Sequence, residues 1–83
     1  MEDLTGFQRD LLCVIAGLDD PSGLAIKSHL EEYYETAVYH GRLYPNLDIL
    51  VDQRLIKKEA MDKRTNVYLL TDNGKQELSM RRK

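Results

Sequence analysis

Hydrophobic positions along the chain follow two patterns, one with the period of a helix and one with the alternation of a strand. Over residues 4–18 they recur every three or four residues, which predicts a helix that Thr5 caps and that ends near Gly17. A second helix is predicted to follow, with Asp20 as its cap and Pro21 in its first turn. Its inner face is expected to hold Leu24, Ile26, Leu30 and either Tyr33 or Tyr34.

A third helix is predicted from the apolar stripe of Leu43, Leu47, Leu50 and Val51. Because an interior proline breaks a helix, Pro45 should lie in the first turn. The helix is therefore expected to run from about His40 or Arg42 to Gln53, with its effective start between residues 41 and 44. Residues 36–39, just before it, are short and β-prone, and they form either a small third strand or a connector.

Two β-prone stretches, residues 56–61 and 67–71, are joined by the polar loop 62–66 and predict a basic hairpin. A last helix is expected from Asp72 to about Met80. The order of elements predicts one α+β, mainly α domain over residues 1–83. This order is that of a winged helix-turn-helix, with a three-helix core, a two-stranded β-hairpin wing and a short C-terminal helix.

Charge is unevenly distributed along the chain, although its net value is only −2. Residues 1–53 hold 3 basic and 10 acidic side chains, whereas residues 54–83 hold 9 basic and 4 acidic ones, including the tail Arg81, Arg82 and Lys83. Such asymmetry is a cue for a polyanionic partner. The alternative is a solvated surface with a basic tail.

Several classes of protein are disfavoured by the sequence. No run of about 18 apolar residues is present to span a membrane. The acidic start of the chain does not resemble a signal peptide, so a cytoplasmic protein is expected. Cys13, the single cysteine, has no partner for an intramolecular disulfide and is expected to be a small core residue.

Catalytic and metal chemistry find little support. His29 and His40 lie eleven residues apart, with no cysteine or carboxylate at ligand spacing, so no metal site is predicted. The chain also lacks a glycine-rich phosphate loop and a convergent polar site. We therefore expect neither an enzyme nor a cofactor.

The start of the third helix carries side chains that suit a DNA groove. The N-terminal residues of a recognition helix reach base edges, where arginine pairs with guanine and asparagine with adenine. The candidates are His40, Arg42, Tyr44 and Asn46, of which Arg42 and Asn46 lie four apart on one helix face. The alternatives are a surface arginine, and packing or capping roles for Tyr44 and His40.

Phosphate contacts are expected from two further segments. The hairpin tip offers Lys63, Arg64, Thr65 and Asn66. Such groups supply affinity without sequence information, and an arginine can enter a minor groove. The start of the second helix offers Ser22, its first backbone N–H groups and Lys27.

Three stretches resemble the PadR-like family of winged-helix transcriptional regulators. These are residues 22–27 (SGLAIK), 41–56 (GRLYPNLDILVDQRLI) and 67–74 (VYLLTDNG). The resemblance runs from about residue 7 to residue 78, and the opening 4–10 (LTGFQRD) is similar to short archaeal members. It implies a homodimer that binds double-stranded DNA at a pseudo-palindromic operator, usually as a repressor. Whether a small-molecule effector exists is left open.

The resemblance also bears on the dimer interface, since members of this family usually dimerise through a long C-terminal helix. Because only 12 residues follow Thr71, the two terminal helices are expected to form the interface. Its candidate residues are Leu4, Phe7, Leu11, Leu78 and Met80. An alternative function is a winged-helix module for protein–protein interaction, which should lack basic groups at the start of helix 3 and at the hairpin tip.

Overall fold

A computed structural model describes residues 4–80, so residues 1–3 and the predicted basic tail at 81–83 lie outside it. The order of elements agrees with the mainly helical class predicted from the sequence. Helices and strands follow in the order α1 (Gly6–Gly17), α2 (Gly23–Tyr34), α3 (His40–Asp52), β1 (Ile56–Ala60), β2 (Asn66–Leu70) and α4 (Asp72–Met80).

Helix α1 begins at the predicted cap. The Thr5 Oγ1 atom accepts a hydrogen bond from the Gln8 backbone N–H at 3.1 Å, and Gln8 Oε1 accepts from the Thr5 N–H at 3.1 Å. This reciprocal capping box satisfies two donors that a helix N-terminus would otherwise leave unpaired.

The start of α2 differs from the prediction. Ser22 is the cap in place of Asp20, because its Oγ accepts a hydrogen bond from the Ala25 N–H at 3.1 Å. Asp20 lies in the preceding turn with a φ of 43°. Pro21 precedes the helix instead of lying in its first turn, and it is buried.

The connection between α2 and α3 is not a strand. Glu35 ends α2 in the left-handed region, and residues 36–39 form a connector. Among residues 4–80 the sheet holds two antiparallel strands, with Ile56 opposite Leu70 and Ala60 opposite Asn66. The wing is extended by an isolated bridge from Val67 to Ser22, which precedes α2 and does not involve residues 36–39.

Helix α3 starts at His40, one of the two predicted starts and one residue before the range 41–44 inferred from Pro45. Pro45 therefore lies in the second turn and not in the first. A proline there has no N–H for the carbonyl of Gly41. Because Gly41 is exposed, water can hydrogen-bond to that carbonyl.

A single apolar cluster joins α1, α2, α3 and the hairpin, and each large aliphatic side chain buried in it contributes about 1.5–3 kcal/mol. Leu24 was predicted to belong to it but is 62% exposed. Of the two tyrosines considered, Tyr34 packs against the cluster and Tyr33 is exposed. Cys13 is likewise exposed and is not a core residue.

Burial in this cluster also bears on the predicted dimer interface. Leu4, Phe7 and Leu11 are buried within their own chain, with Leu11 at 0% exposure, so they leave little or no surface for a partner. Leu78 packs partly against the same cluster, whereas Met80 is exposed.

Across the described part of the chain, every helix is too short or too polar to cross a membrane.

Candidate nucleic-acid interface

A concave surface lies between the start of α2, the start of α3 and the hairpin, and we call it the wing groove. Its volume is about 400 Å³. It brings together six of the ten side chains predicted to contact DNA, and three further residues complete its lining. The six are Ser22, His40, Tyr44, Arg64, Thr65 and Asn66, and the others are Gly23, Leu24 and Tyr68.

The hairpin is fixed against the start of α2 by backbone hydrogen bonding. The Tyr68 N–H donates to the Pro21 carbonyl at 2.9 Å, next to the bridge between Ser22 and Val67. The Tyr68 ring is buried, and burial raises the pKa of its hydroxyl. Because strand β2 is tied to α2 in this way, the tip of the hairpin is held at a set position relative to α3.

The wall between α2 and α3 depends on close contact of Gly23 with Tyr44. A Cβ atom at residue 23 would lie 2.8 Å from Tyr44 Cε1 and closer still to its hydroxyl. Any side chain at residue 23 would therefore require the Tyr44 ring to move. The His40 ring meets the Tyr44 ring edge-on, with centroids 5.4 Å apart. Together the two rings form the α3 side of the wing groove.

The tip of the hairpin is shaped by one carboxylate. Asp62 Oδ1 accepts hydrogen bonds from the backbone N–H groups of Arg64 at 2.9 Å and of Thr65 at 2.8 Å. The first of these bonds is the main cause that holds the pKa of Asp62 below its usual value. The turn leaves Lys63 and Arg64 exposed, and neither forms an ion pair with another residue in the range 4–80.

Lys27, predicted to contact phosphate, lies outside the wing groove. Its Nζ pairs with Glu31 Oε2 at 2.9 Å, and the same oxygen accepts a hydrogen bond from the Val38 N–H at 2.9 Å. The Val38 bond is the largest cause that lowers the pKa of Glu31, followed by the bond from Lys27. Lys27 thus helps to fix the connection between α2 and α3.

Arg42 and Asn46 share a face of α3, but that face packs against α1. The Arg42 guanidinium lies 4.0 Å from the centre of the Phe7 ring. Asn46 accepts a hydrogen bond from Gln8 Nε2 at 2.9 Å and donates one to the Arg42 carbonyl at 2.7 Å. Asn46 therefore has both ends of its amide occupied within the chain.

Sequence reasoning did not identify Gly23, Leu24 and Tyr68 as part of this surface. The exposure of Leu24 could have been predicted from the helical period. Residues 24 and 26 differ by about 200° around a helix, so the burial of Ile26 places Leu24 on the opposite side. The contact of Gly23 with Tyr44 could not be predicted from a local sequence pattern, because the two residues lie on different helices.

The element order and the wing groove are those of a winged helix-turn-helix DNA-binding protein. A family model described as the transcriptional regulator PadR-like family matches residues 11–80. The chain therefore belongs to that family of DNA-binding transcriptional regulators. This agrees with the prediction of a DNA-binding transcriptional regulator.

Solved structures similar to this chain support the same assignment. RosR from H. salinarum is 51% identical over 95% of this chain and 71% of its own, with a TM-score of 0.90. PadR from Bacillus subtilis, in complex with operator DNA, is 27% identical over 92% of this chain and 46% of its own, with a TM-score of 0.80. No curated protein sequence matches the chain significantly.

The winged-helix DNA-binding protein F93 from STIV shares the fold, with a TM-score of 0.80 at 20% identity over 95% of this chain and 86% of its own.

Proposed function

We propose that the chain is a homodimeric, sequence-specific repressor that binds a pseudo-palindromic operator in the cytoplasm through a single DNA-binding domain. The wing groove is the observation that carries this proposal. It joins an exposed helix start, a helix N-terminus and a basic hairpin tip in one concave surface. These are the parts with which winged and other helix-turn-helix proteins contact a duplex.

In this arrangement the N-terminal part of α3 enters the major groove. His40 and Tyr44 line the wing groove at that point and present ring edges and polar atoms to the bases. A tyrosine ring can contact a thymine methyl group, and its hydroxyl can hydrogen-bond to phosphate. Arg42 and Asn46 support α3 from behind, because their contacts are made with α1.

The hairpin supplies most of the electrostatic attraction. Lys63 and Arg64 are exposed at its tip, where they can neutralise phosphate charge or reach into a minor groove. Thr65 and Asn66 add hydrogen-bonding groups beside them. Ser22 can still donate its hydroxyl proton to phosphate, because its oxygen acts as an acceptor in capping α2.

A pseudo-palindromic operator has two half-sites related by two-fold symmetry. Two copies of the chain with the same symmetry would bind it, and the proposal therefore includes a homodimer. Of the predicted interface, Leu78 and Met80 on α4 retain surface that a second copy can cover. The operator complex of B. subtilis PadR supports double-stranded DNA as the partner.

Selection from a pool of random duplexes tests this function. The wild-type chain is expected to enrich an inverted repeat with half-sites spaced by whole helical turns of about 10 base pairs. The same selection with Lys63→Ala/Arg64→Ala should enrich the same repeat more weakly, because those contacts carry no sequence information. Enrichment of no sequence, or of a single unrepeated site, would contradict the proposed operator.

A further inference from the structure

A second groove lies between α1 and α2, away from the wing groove, and we call it the helix groove. Its volume is about 310 Å³, at the lower end of the roughly 300–1,000 Å³ that is usual for small-molecule pockets. Its floor includes Leu30, which is fully buried. The walls are Asp10, Cys13, Val14 and Gly17 from α1, and His29 and Tyr33 from α2.

The helix groove has the electrostatics of a cation site. Asp10 supplies a carboxylate to its lining, and no lysine or arginine lines it. The Tyr34 hydroxyl donates a hydrogen bond to one oxygen of Asp10. A carboxylate can accept about four hydrogen bonds. Asp10 therefore has acceptor capacity left for a ligand.

An exposed aromatic ring lies beside this carboxylate. Tyr33 is 72% exposed, and its ring lies tilted against that of Tyr34 with centroids 5.5 Å apart. A cation near the face of a tyrosine ring is attracted by the ring quadrupole. Tyr33 and Asp10 thus favour the same kind of ligand, one that combines a flat apolar body with a positive charge.

We propose that the helix groove binds a small aromatic cation, such as an arylamidine, whose charged nitrogen pairs with Asp10 and whose ring packs between Val14, Gly17 and Tyr33. The site neighbours the contacts that hold α3. Tyr34 donates its hydrogen bond to Asp10 and stacks on Phe7, with ring centroids 6.4 Å apart. The Phe7 ring also contacts the guanidinium of Arg42 on α3.

The test is an NMR titration of the free protein with benzamidine, with benzamide as its uncharged analogue. Because no DNA is present, the outcome is independent of the proposed operator binding. Benzamidine should shift the backbone amides of residues 10–17 and 29–33 and should bind at least about tenfold more tightly than benzamide, the factor expected for one charge-assisted pair. Equal binding of the two compounds, or shifts elsewhere, would overturn the proposal.

Two variants with matched controls locate the ligand. Asp10→Asn keeps an acceptor for Tyr34 but removes the charge, and it should weaken benzamidine by about tenfold, whereas Glu32→Gln on the exposed side of α2 should not.

Gly17→Leu fills the groove, since a Cβ at residue 17 meets no atom within 4 Å. It should also abolish saturable binding, whereas Ala16→Leu on the neighbouring exposed position should bind as wild type. Wild-type affinity in Asp10→Asn or in folded Gly17→Leu contradicts the site.

Discussion

Gln8 Nε2 donates a hydrogen bond to Asn46 Oδ1 at 2.9 Å and thereby joins the capped start of α1 to the side of α3. The other end of the Gln8 amide accepts from the Thr5 N–H, and Asn46 in turn donates to the Arg42 carbonyl. Gln8 is 7% exposed, so water has little access to replace a lost partner. This connection places Asn46 among the residues that set the position of α3.

Asn46→Ala is therefore expected to lower stability more than specificity. It leaves the nearly buried amide of Gln8 without its partner, which costs about 1–3 kcal/mol in the free energy of unfolding. Urea unfolding measures this loss, and Gln76→Ala on the exposed side of α4 should change stability by less than about 0.5 kcal/mol. If Asn46→Ala leaves stability unchanged and weakens only the selected operator, Asn46 is a base contact after all.

Gly23→Ala should destabilise the fold because its new Cβ overlaps the Tyr44 hydroxyl. Overpacking of this kind costs about 1–3 kcal/mol. Since the nearest atom is the hydroxyl oxygen, Tyr44→Phe should recover part of the loss in the double variant, giving a non-additive cycle in thermal unfolding. Gly41→Ala serves as the control, because its Cβ meets no atom within 4 Å. Additive losses would show that residues 23 and 44 do not touch.

The wing tip should contribute affinity but little sequence discrimination. Lys63→Ala and Arg64→Ala should weaken the selected operator and a scrambled duplex by similar factors. Each should also lower the slope of log affinity against log salt by roughly one. Fluorescence anisotropy at several salt concentrations gives both quantities, with Lys75→Ala on α4 as the charge-matched control. A slope that stays the same in the double variant would remove the tip from the binding surface.

Glu31 should make stability depend on pH in the acid range. Its hydrogen bonds from Val38 and Lys27 hold its pKa below the ordinary value of 4.5. A carboxylate with a lowered pKa in the folded state stabilises the fold above its unfolded pKa, and this contribution disappears as the pH falls through the folded pKa. The difference in melting temperature between wild type and Glu31→Gln should thus be present near neutral pH and shrink below 4.5.

Glu32→Gln removes the same charge from the exposed side of α2 and should show no such pH-dependent difference. A wild-type advantage over Glu31→Gln that persists unchanged at the acid end would contradict the role given to the Glu31 carboxylate.

The periodic features of the sequence predicted most of the fold. The spacing of Leu43, Leu47 and Leu50 was sufficient for α3, and all three are fully buried. Asp20 was predicted to cap α2, whereas Ser22 does so. Both side chains suit an N-cap, and the choice depends on the turn that brings Pro21 to β2.

The side of α3 that borders the wing groove could not be predicted in full from the sequence. Helical geometry places Arg42 and Asn46 on one face, but which neighbour covers that face depends on tertiary packing. Here Phe7 of α1 contacts Arg42 and Gln8 of α1 contacts Asn46, whereas the face of Tyr44 borders the wing groove. In the same way, the apolar pattern of α1 does not distinguish core from dimer interface, and Leu11 belongs to the core.

NMR mapping of the complex with the selected operator tests the central claim most directly. The largest changes in backbone amide shifts should fall on the residues that line the wing groove, at the starts of α2 and α3 and in the hairpin tip. The amides of the residues that line the helix groove should change little; these include Cys13, Val14, Gly17 and His29. If the largest changes instead fall on the helix groove while Ser22, Tyr44 and Arg64 keep their free-state shifts, the wing groove is not the DNA-binding surface.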